Sequence, residues 1–245
     1  MAGPDSTAVL GNWKLHAYSV VDSTNLVAAA LPPWVAVRAE AQTAGRGRFQ
    51  RAWVSDSGGL WLSAVIPAPP ATVLLLPLVA GLAVCEGLWD LGVKGLRLRW
   101  PNDVLVHNRK LAGLLLDQFV PGVAVVGIGV NVANAPEAGH PELKNLTTRL
   151  ADLLSNPPSL EALTKILLDR LHSVVNELHS AGSASVLDRV NQLWGPARLV
   201  QLDLDGVLRR GRFAGVDSQG RLLLTLDSGD IEVFAPHQVR HLEEL

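Results

Sequence analysis

Two arginines alternate with two glycines in the short stretch Gly45-Arg46-Gly47-Arg48, the part of this sequence with the most evident chemistry. Glycine lets backbone amides approach a ligand closely, and a guanidinium can donate to two oxygens of a carboxylate or phosphate at once. The stretch therefore suits an anion of high charge density. The same composition is also typical of a mobile solvated turn, so the loop alone leaves both interpretations open.

Lys110 and Asp103 are further candidates for chemistry on an anion. Lys110 opens the apolar segment KLAGLLLD, and Asp103 closes the segment RWPND. A lysine in this place is either an edge charge that discourages aggregation of sheets or a cation that meets an anionic ligand. Asp103 either caps a turn or acts as a metal ligand or base. The residues by themselves leave both pairs of alternatives open.

Short polar side chains stand at two other places where a ligand could be held. Ser23, Thr24 and Asn25 precede an alanine-rich segment, and these residue types favour the start of a helix. They could also form hydrogen bonds to a neutral polar ligand group. Asn131 is the one polar side chain in VAVVGIGVNV, so it is either a satisfied structural amide or a group that pairs with a base edge.

The elements that must position these residues follow from the hydrophobic periodicity. Alternation from Val35 to Ala41 predicts a strand before the basic loop, and a second strand resumes at Leu60. A hairpin is predicted around a turn at Asn108-Arg109, with Lys110 on the same face as Ala112, Leu114 and Leu116. Residues 1–12 are expected to form a loose end. The other predicted strands are Trp13–Val21, Leu96–Trp100 and Val123–Val132, and the predicted helices are Val27–Leu31, Ala71–Leu91, Leu150–Leu154, Leu160–Leu178 and Ser185–Leu193.

From about Gly195 the pattern changes to four short alternating strands separated by turn residues. Such spacing is typical of a small all-β barrel. The predicted fold class is therefore α+β, a mixed sheet with flanking helices followed by a small β-barrel. We expect two domains, residues 1–194 and 195–245.

Composition limits the classes of function. The chain has 245 residues, 48% of them hydrophobic, and a net charge of -2, which gives no reason to expect broad attraction to nucleic acid or anionic membrane. Cys85 is the only cysteine, so a disulfide within the chain and a cysteine metal site are excluded. The apolar segment 71–91 is interrupted by Pro77, Glu86 and Asp90, which favours a core helix over a membrane span. Without a secretory signal pattern, a cytoplasmic enzyme or binding protein is expected.

Five motifs, taken in order, closely resemble the biotin protein ligases (biotin–acetyl-CoA-carboxylase ligases). They are Ser23-Thr24-Asn25, AEAQTAGRGR with Trp53 shortly after, RWPND, RKLAG and GIGVN. The resemblance implies a class II synthetase-like catalytic fold and an SH3-like C-terminal barrel. This sequence departs from the family in having Phe49-Gln50 where Arg-Gly is common, and Arg99 where lysine is common. It also starts close to the catalytic motifs, so we expect no DNA-binding domain and no DNA partner.

The resemblance implies that biotin is activated with ATP and passed to a lysine of a biotin carboxyl carrier domain. By this resemblance Lys110, Arg46, Arg48 and Asp103 are catalytic, and Asp103 either helps the carrier lysine lose its proton or orients Lys110. Mg²⁺ binds through the phosphates, with Asp103 as a candidate ligand. The implied biotin contacts are Ser23, Thr24, Asn25, Gln42, Arg46, Gly47, Arg48 and Lys110, and the implied adenylate contacts are Arg46, Arg48, Trp53, Lys110 and Asn131. Two alternatives stay open: a lipoate or octanoate ligase of the same superfamily, and a non-catalytic module that binds biotinyl-AMP. A homodimer is one of the oligomeric states that family members adopt.

Overall fold

A mixed sheet of eight strands forms the larger part of the molecule. In the computed structural model, which describes residues 3–195 and 197–245, the strands lie in the order β1-β2-β3-β4-β8-β7-β6-β5. Only β2 and β3 of this sheet run parallel, and its other neighbouring pairs are antiparallel. The bounds are β1 Ser6–Leu10, β2 Trp13–Val21, β3 Val35–Gln42, β4 Leu60–Ala68, β5 Leu96–Arg99, β6 Asp103–Val106, β7 Arg109–Val120 and β8 Gly122–Val130.

The helices divide unequally between the two faces of this sheet. They are α1 Thr24–Ala28, α2 Leu76–Asp90, α3 Leu150–Leu153, α4 Leu160–Ala181 and α5 Ala184–Gln192. α2, α4 and α5 pack together on one face and bury the main core, whereas α1 packs on β3, β4 and β8 from the other side. Ala28 of α1 contributes there to a small apolar cluster with Val37, Val65 and Val125. The α1 face is thus covered only in part, which leaves space for a site.

Helix α2 is a core helix, as the sequence predicts. The segment Val73–Asp90 has a mean hydropathy of 1.7 and is long and apolar enough to cross a membrane, but 67% of it is buried inside the fold. Its apolar composition is explained by burial against α4 and the sheet. Cys85 lies fully buried in it, and burial raises the pKa of this thiol, as is typical of an unreactive structural cysteine.

Helices α3, α4 and α5 agree closely with the sequence pattern, whereas α1 begins three residues before the predicted segment Val27–Leu31 and ends at Ala28. α4 begins after Ser159, whose hydroxyl accepts a hydrogen bond from the amide of Ala162 at 3.2 Å. The side chain thus satisfies one of the amides that have no partner in the first helical turn. The predicted start of this helix at Leu160 is therefore confirmed.

Three of the predicted elements are corrected by the structure. Residues 6–10 are not loose, because they pair with β2 as the edge strand β1. The hairpin turn is centred on His107 and Asn108, which both adopt the left-handed backbone conformation, rather than on Asn108-Arg109. Asn131 lies just beyond the end of β8 and not within it.

The predicted orientation of Lys110 is wrong, and a β-bulge is the cause. Val104 pairs with Ala112 and Leu105 pairs with Lys110, so β7 has one extra residue, Leu111, between these pairs. An extra residue reverses the alternation of side chains on the strand that carries it. Lys110 consequently lies on the face of Asp103 and Gly113, opposite to Ala112 and the core.

The C-terminal strands form a separate five-stranded sheet in the order β12-β11-β10-β9-β13. Their bounds are β9 Leu199–Leu204, β10 Val207–Val216, β11 Leu222–Thr225, β12 Ile231–Phe234 and β13 His241–Glu244. The predicted SH3-like unit agrees with this second sheet, and β13 is the strand that the sequence pattern missed. The division at residues 194 and 195 stays a prediction.

The second sheet packs directly on the first unit through buried residues. One buried apolar cluster contains residues of both, such as Leu75 and Leu222. The indole Nε1 of Trp100, which follows β5, donates to the carbonyl of Gly220 at 3.0 Å across this contact. We therefore expect the two units to unfold together.

Replacement of Trp100 by Phe tests this coupling. The change leaves the Gly220 carbonyl buried without its donor, and we expect a loss of about 1–3 kcal/mol in the free energy of unfolding, still in one transition. Urea titrations followed by circular dichroism and by fluorescence measure it, with Trp89→Phe as control because Trp89 is 58% exposed. Two separate transitions in the unaltered protein would contradict the prediction.

Candidate active site

One cavity of about 300 Å³ opens on the α1 face of the large sheet. Side chains of the basic loop, the start of β6, the start of β7 and the C-terminal segment line it. All the residues that the sequence singled out lie in its wall: Ser23, Thr24, Asn25, Gln42, Arg46, Gly47, Arg48, Trp53, Asp103, Lys110 and Asn131. The fold therefore brings together residues that are spread over more than a hundred positions.

Gln42 organises the polar part of the cavity near the start of α1. Its Oε1 accepts hydrogen bonds from the amide of Thr24 at 2.8 Å and from the Thr24 hydroxyl at 3.1 Å. Its Nε2 donates to the Ser55 hydroxyl at 2.8 Å, and that hydroxyl donates to the carbonyl of Trp53. This chain of bonds fixes which end of the Gln42 amide faces each neighbour.

Ser63 and Asp117 extend this polar network beneath α1. The Ser63 hydroxyl lies 2.7 Å from Thr24 Oγ1 and 2.5 Å from Asn25 Oδ1. Asn25 Nδ2 donates to Asp117 Oδ2 at 2.8 Å. Ser63, Thr24 and Asn25 are almost completely buried, so these bonds offset the loss of their contacts with water.

Asp103 lies between two cations. Its carboxylate contacts Lys110 Nζ at 2.6 Å and Arg99 Nη2 at 2.6 Å, with only 14% of the Asp103 side chain exposed. Burial alone would raise the pKa of this carboxyl, but the charges of Lys110 and Arg99 outweigh it and hold the pKa below its usual value. Asp103 is therefore ionised at neutral pH, and it fixes the position of the Lys110 ammonium.

The basic loop folds back on itself over the cavity. Arg46 forms an isolated β-bridge with Ala52, and the amide of Gly47 donates to the carbonyl of Arg51 at 2.8 Å. The Nε of Arg46 is buried and has no hydrogen-bond partner in the described part of the chain. A buried charged donor in this state is costly, and a bound acceptor would satisfy it.

Arg48 points from this loop toward the C-terminal segment. Its Nη2 donates to the carbonyl of Val239 at 3.0 Å and to the carbonyl of Pro236. Burial lowers the pKa of this guanidinium to about 10, against the attraction of Asp103, so Arg48 is a cation at neutral pH. The structure thus gives Arg48 a contact that the sequence did not predict.

Trp53 lies against the glycines of the sheet. A Cβ atom at Gly129 would come within 2.7 Å of the Trp53 ring nitrogen, so only glycine leaves room for this indole. Lys110 Nζ lies 4.8 Å from the Trp53 ring centroid, a cation–π distance. Like Arg46 Nε, the buried Trp53 Nε1 lacks a partner among the described residues. The second glycine of the strand, Gly127, gives the same close approach to Asn25.

The side chain of Asn131 connects neighbouring segments through hydrogen bonds. Its Nδ2 donates to the carbonyl of Thr148 at 3.2 Å, and its Oδ1 accepts from Asn134 Nδ2 at 3.0 Å. Of the two interpretations left open by the sequence, this geometry agrees with the satisfied structural amide. A contact with a base edge stays a prediction.

Several residues of the site were missed from the sequence. Ser63 is fully buried and is the one polar side chain in the apolar segment LWLSAVI, so the argument used for Asn131 would have found it. Asp117 and Arg240 carry no such signal, because only the fold brings them to Asn25 and to the basic loop. Arg99 was noted only as a substitution in the RWPND motif, and the structure makes it a second partner of Asp103.

The combined geometry suits a ligand with one neutral polar end and one anionic centre. The network of Thr24, Gln42 and Ser63 offers hydrogen-bonding groups in a buried, rigid setting. Lys110 and the unpartnered Arg46 Nε concentrate positive charge a short distance away. Charge held in a partly buried site stabilises an anion much more than charge in water does.

The chain is similar to proteins of one family throughout most of its length. Residues 19–133 match the Biotin/lipoate A/B protein ligase family. The Biotin--[acetyl-CoA-carboxylase] ligase of Mycobacterium tuberculosis is 33% identical over 82% of this chain and 77% of its own. The bifunctional ligase/repressor BirA of Escherichia coli is 33% identical over 85% of this chain and 68% of its own.

A solved structure of the same family superposes closely. The biotin protein ligase from Aquifex aeolicus, in complex with biotin and ATP, has a TM-score of 0.83 and 26% identity, and covers 94% of this chain and 99% of its own. These relatives are named as biotin ligases, which favours that activity over the lipoate ligase and the non-catalytic module left open above. On its sequence motifs, its fold and these relatives, the chain belongs to the biotin protein ligases.

Proposed function

We propose that this chain joins biotin to a carrier protein in two steps within the cavity described above. In the first, a biotin carboxylate oxygen attacks the α-phosphate of ATP, and biotinyl-5'-AMP forms as pyrophosphate leaves. In the second, the amine of a carrier lysine attacks the acyl carbonyl, and AMP leaves. The observation that carries this assignment is the placement of Lys110, held by Asp103, and the unpartnered Arg46 beside a buried polar network.

The polar network is the proposed place of the biotin ring. The ureido group of biotin is neutral and polar, and it matches hydroxyl and amide partners at Ser23, Thr24, Asn25 and Gln42. Thr24, Asn25 and Gln42 are held by bonds to one another or to Ser63, so they require little reorganisation when a ligand binds. A site built to form hydrogen bonds with a ligand rejects analogues that lack them. The dithiolane of lipoate lacks a ureido group, which supports biotin as the substrate.

In this proposal the reacting carboxylate and phosphate bind beside the cations of the cavity. Two anions must meet in the first step, so positive charge aimed at the α-phosphate lowers the barrier. Arg46 and Lys110 supply it directly, with Gly47 allowing close approach of the loop. The ion pair with Asp103 keeps Lys110 in one position, so little entropy is lost when the phosphate arrives.

Asp103 is better suited to position Lys110 than to remove a proton from the carrier lysine. Its pKa is lowered by two adjacent cations, and a carboxylate stabilised in this way is a weak base. The sign of this shift also gives a pH dependence. The ion pair is complete above the usual carboxyl pKa and is lost as the pH falls through the lowered value.

Trp53 and Asn131 are the candidates for contacts with adenosine. An indole can stack on adenine, and such base–aromatic contacts are worth about 1–3 kcal/mol. Trp53 also offers its unpartnered Nε1 as a donor. Asn131 would have to exchange its present bond with Thr148 to pair with the base edge.

Mg²⁺ would enter with ATP and not through a site of its own. No three His, Cys, Asp or Glu side chains cluster to hold a metal ion within residues 3–195 and 197–245. Both oxygens of Asp103 contact cations, so this carboxylate fits the predicted role of metal ligand poorly. Phosphate oxygens and water are ordinary ligands of Mg²⁺, and they suffice to bring it to the site.

The decisive experiment is to incubate the protein with ATP, Mg²⁺, biotin and a biotin carboxyl carrier domain, and to weigh the carrier. We expect a gain of one biotinyl group on one lysine. A carrier whose lysine has been replaced by arginine is the matched control. Transfer of lipoate in preference to biotin, or no transfer at all, would contradict the proposal.

Replacement of Lys110 by Ala should cripple adenylate formation while the fold is retained. The change removes a charge from the α-phosphate, where one positioned donor is worth about 10²–10³-fold in rate. Pyrophosphate release measures the effect, and Lys165→Ala in α4 is the control because this lysine is exposed and pairs with Asp169. Release at the unaltered rate would make Lys110 an edge charge only.

Replacement of Arg48 by Gly should let biotinyl-AMP escape from the site. The variant loses the bonds to the Pro236 and Val239 carbonyls and gains backbone freedom, so the loop closes less well. Arg46 and Lys110 remain, and adenylate formation should survive in part. We expect more biotin on an unrelated lysine-rich bystander protein, detected by blotting.

The matched variant for this test is Arg51→Gly. It adds similar freedom to the same loop and removes the 3.3 Å bond from Arg51 to the Arg240 carbonyl, but Arg48 keeps its two bonds, so bystander labelling should be weaker than with Arg48→Gly. Equal labelling by both variants would show that the Arg48 guanidinium has no specific role in escape. Labelling no greater than that of the unaltered protein would contradict the role of Arg48 in retention.

A further inference from the structure

A single aromatic ring connects the basic loop to the C-terminal sheet. Phe49 lies in this loop, and the Arg48 guanidinium carbon is 4.7 Å from its ring centroid. The guanidinium carbon of Arg240, just before β13, is 4.3 Å from the same centroid. Both distances are within the range of cation–π attraction. One ring therefore contacts a cation of its own loop and a cation nearly two hundred residues away.

The backbone at this point has an unfavourable conformation. Phe49 and the next residue, Gln50, have φ angles of 55° and 59°, in the left-handed region that residues with a Cβ rarely adopt. A bulky side chain stays there only where surrounding contacts outweigh the strain.

Hydrogen bonds supply further contacts between the same two segments. Arg48 donates to the carbonyls of Pro236 and Val239, and Arg51 Nη2 lies 3.3 Å from the carbonyl of Arg240. Arg240 is held in turn by an ion pair with Asp205. The loop is thus attached to segment 236–240 by a ring between two guanidiniums and by backbone acceptors.

The attached segments form one side of the cavity. Arg46, Phe49 and Arg51 line it from the loop, and Arg240 and Leu242 line it from the C-terminal sheet. A ligand bound here contacts both segments, and their separation would remove one side of its enclosure. A stronger attachment between the loop and the segment would therefore slow ligand release.

We propose that Phe49 is a positioning residue that locks the basic loop onto segment 236–240 before any ligand binds, and so sets how long an activated acyl intermediate is retained. Glycines and adjacent like charges would otherwise favour a mobile loop. The retention part rests on the proposed function, whereas the lock does not. The two parts are therefore tested by separate measurements.

The lock is tested on the free protein by hydrogen exchange of the amides in residues 44–52. Phe49→Leu keeps an apolar side chain but removes the π face, and Arg240→Gln removes the cation but keeps a polar side chain of similar reach. We expect either change to speed exchange in the loop by about 2–5-fold, the effect of a cation–π contact to an arginine whose side chain is 43% exposed. Phe49→Tyr should restore slow exchange, and Phe119→Leu, at an exposed phenylalanine of β7, should have no effect.

Retention is tested by isolating the complex with labelled biotinyl-AMP and following loss of the label during a chase. We expect faster release from Phe49→Leu and from Arg240→Gln, and in the double variant no increase beyond that of Phe49→Leu, because the cation–π contact of Arg240 requires the Phe49 ring. The midpoint of thermal unfolding should stay at its original value. If the changes merely damaged the structure, that midpoint would fall together with retention. Phe49→Tyr by itself would not tell these two effects apart.

Two results would overturn the proposal. Fast exchange of the loop in the unaltered free protein would show that no lock exists without ligand. Unchanged release from Phe49→Leu, with exchange accelerated, would show that the lock does not control retention. A protein that forms no adenylate would contradict the proposed function instead, and the exchange measurement would still decide whether the lock exists.

Discussion

The ion pair between Lys110 and Asp103 is the interaction on which the geometry of the cavity depends. The two residues lie on adjacent antiparallel strands, and they meet only because Leu111 is bulged and turns Lys110 toward the open face of the sheet. Arg99 on the next strand contacts the same carboxylate. A buried aspartate with two cations is satisfied electrostatically, and one net positive charge remains to meet an anion. The position of the aromatic wall follows from this arrangement, since the Lys110 ammonium lies over Trp53.

The face of the large sheet that carries α1 determines where a ligand can lie. Helices α2, α4 and α5 pack on the opposite face, and the cavity lies on the side of α1. There the absence of a side chain at Gly127 and Gly129 lets Asn25 and Trp53 approach the strands closely. The polar network of Thr24, Gln42 and Ser63 is buried under α1, which keeps its hydrogen bonds away from competing water. A neutral polar ligand group and an anionic one are thus assigned to different parts of one cavity.

The C-terminal sheet contributes to the site as well as to the core. Trp100 connects the RWPND motif to Gly220, and Arg48 connects the basic loop to Pro236 and Val239. Through these contacts the cavity receives one wall from a part of the chain without a recognised catalytic motif. Retention of an intermediate and stability of the second unit should therefore depend on the same surface.

Most of the secondary structure could be predicted from the sequence alone, because it follows from local patterns, and the candidate residues that line the cavity were named from short motifs. Alternation and capping residues predicted the strands around the basic loop and the start of α4, and the order of five motifs indicated the family. Alternation could not reveal the bulge at Leu111, so it assigned Lys110 to the wrong face. It also missed β13, whose residues are mostly polar and exposed.

Only the tertiary structure decided which partners the functional groups have. Asp117 meets Asn25, and segment 236–240 meets Arg48 and Phe49, across separations that leave no periodic signal in the sequence. The same holds for Asp103, which the sequence left between base, metal ligand and capping group until the two cations beside it were located. The physical reason is common to these cases. The residue type determines which chemical groups a side chain carries. Its pKa, its partner and its orientation depend on groups that the folded chain brings within a few ångströms.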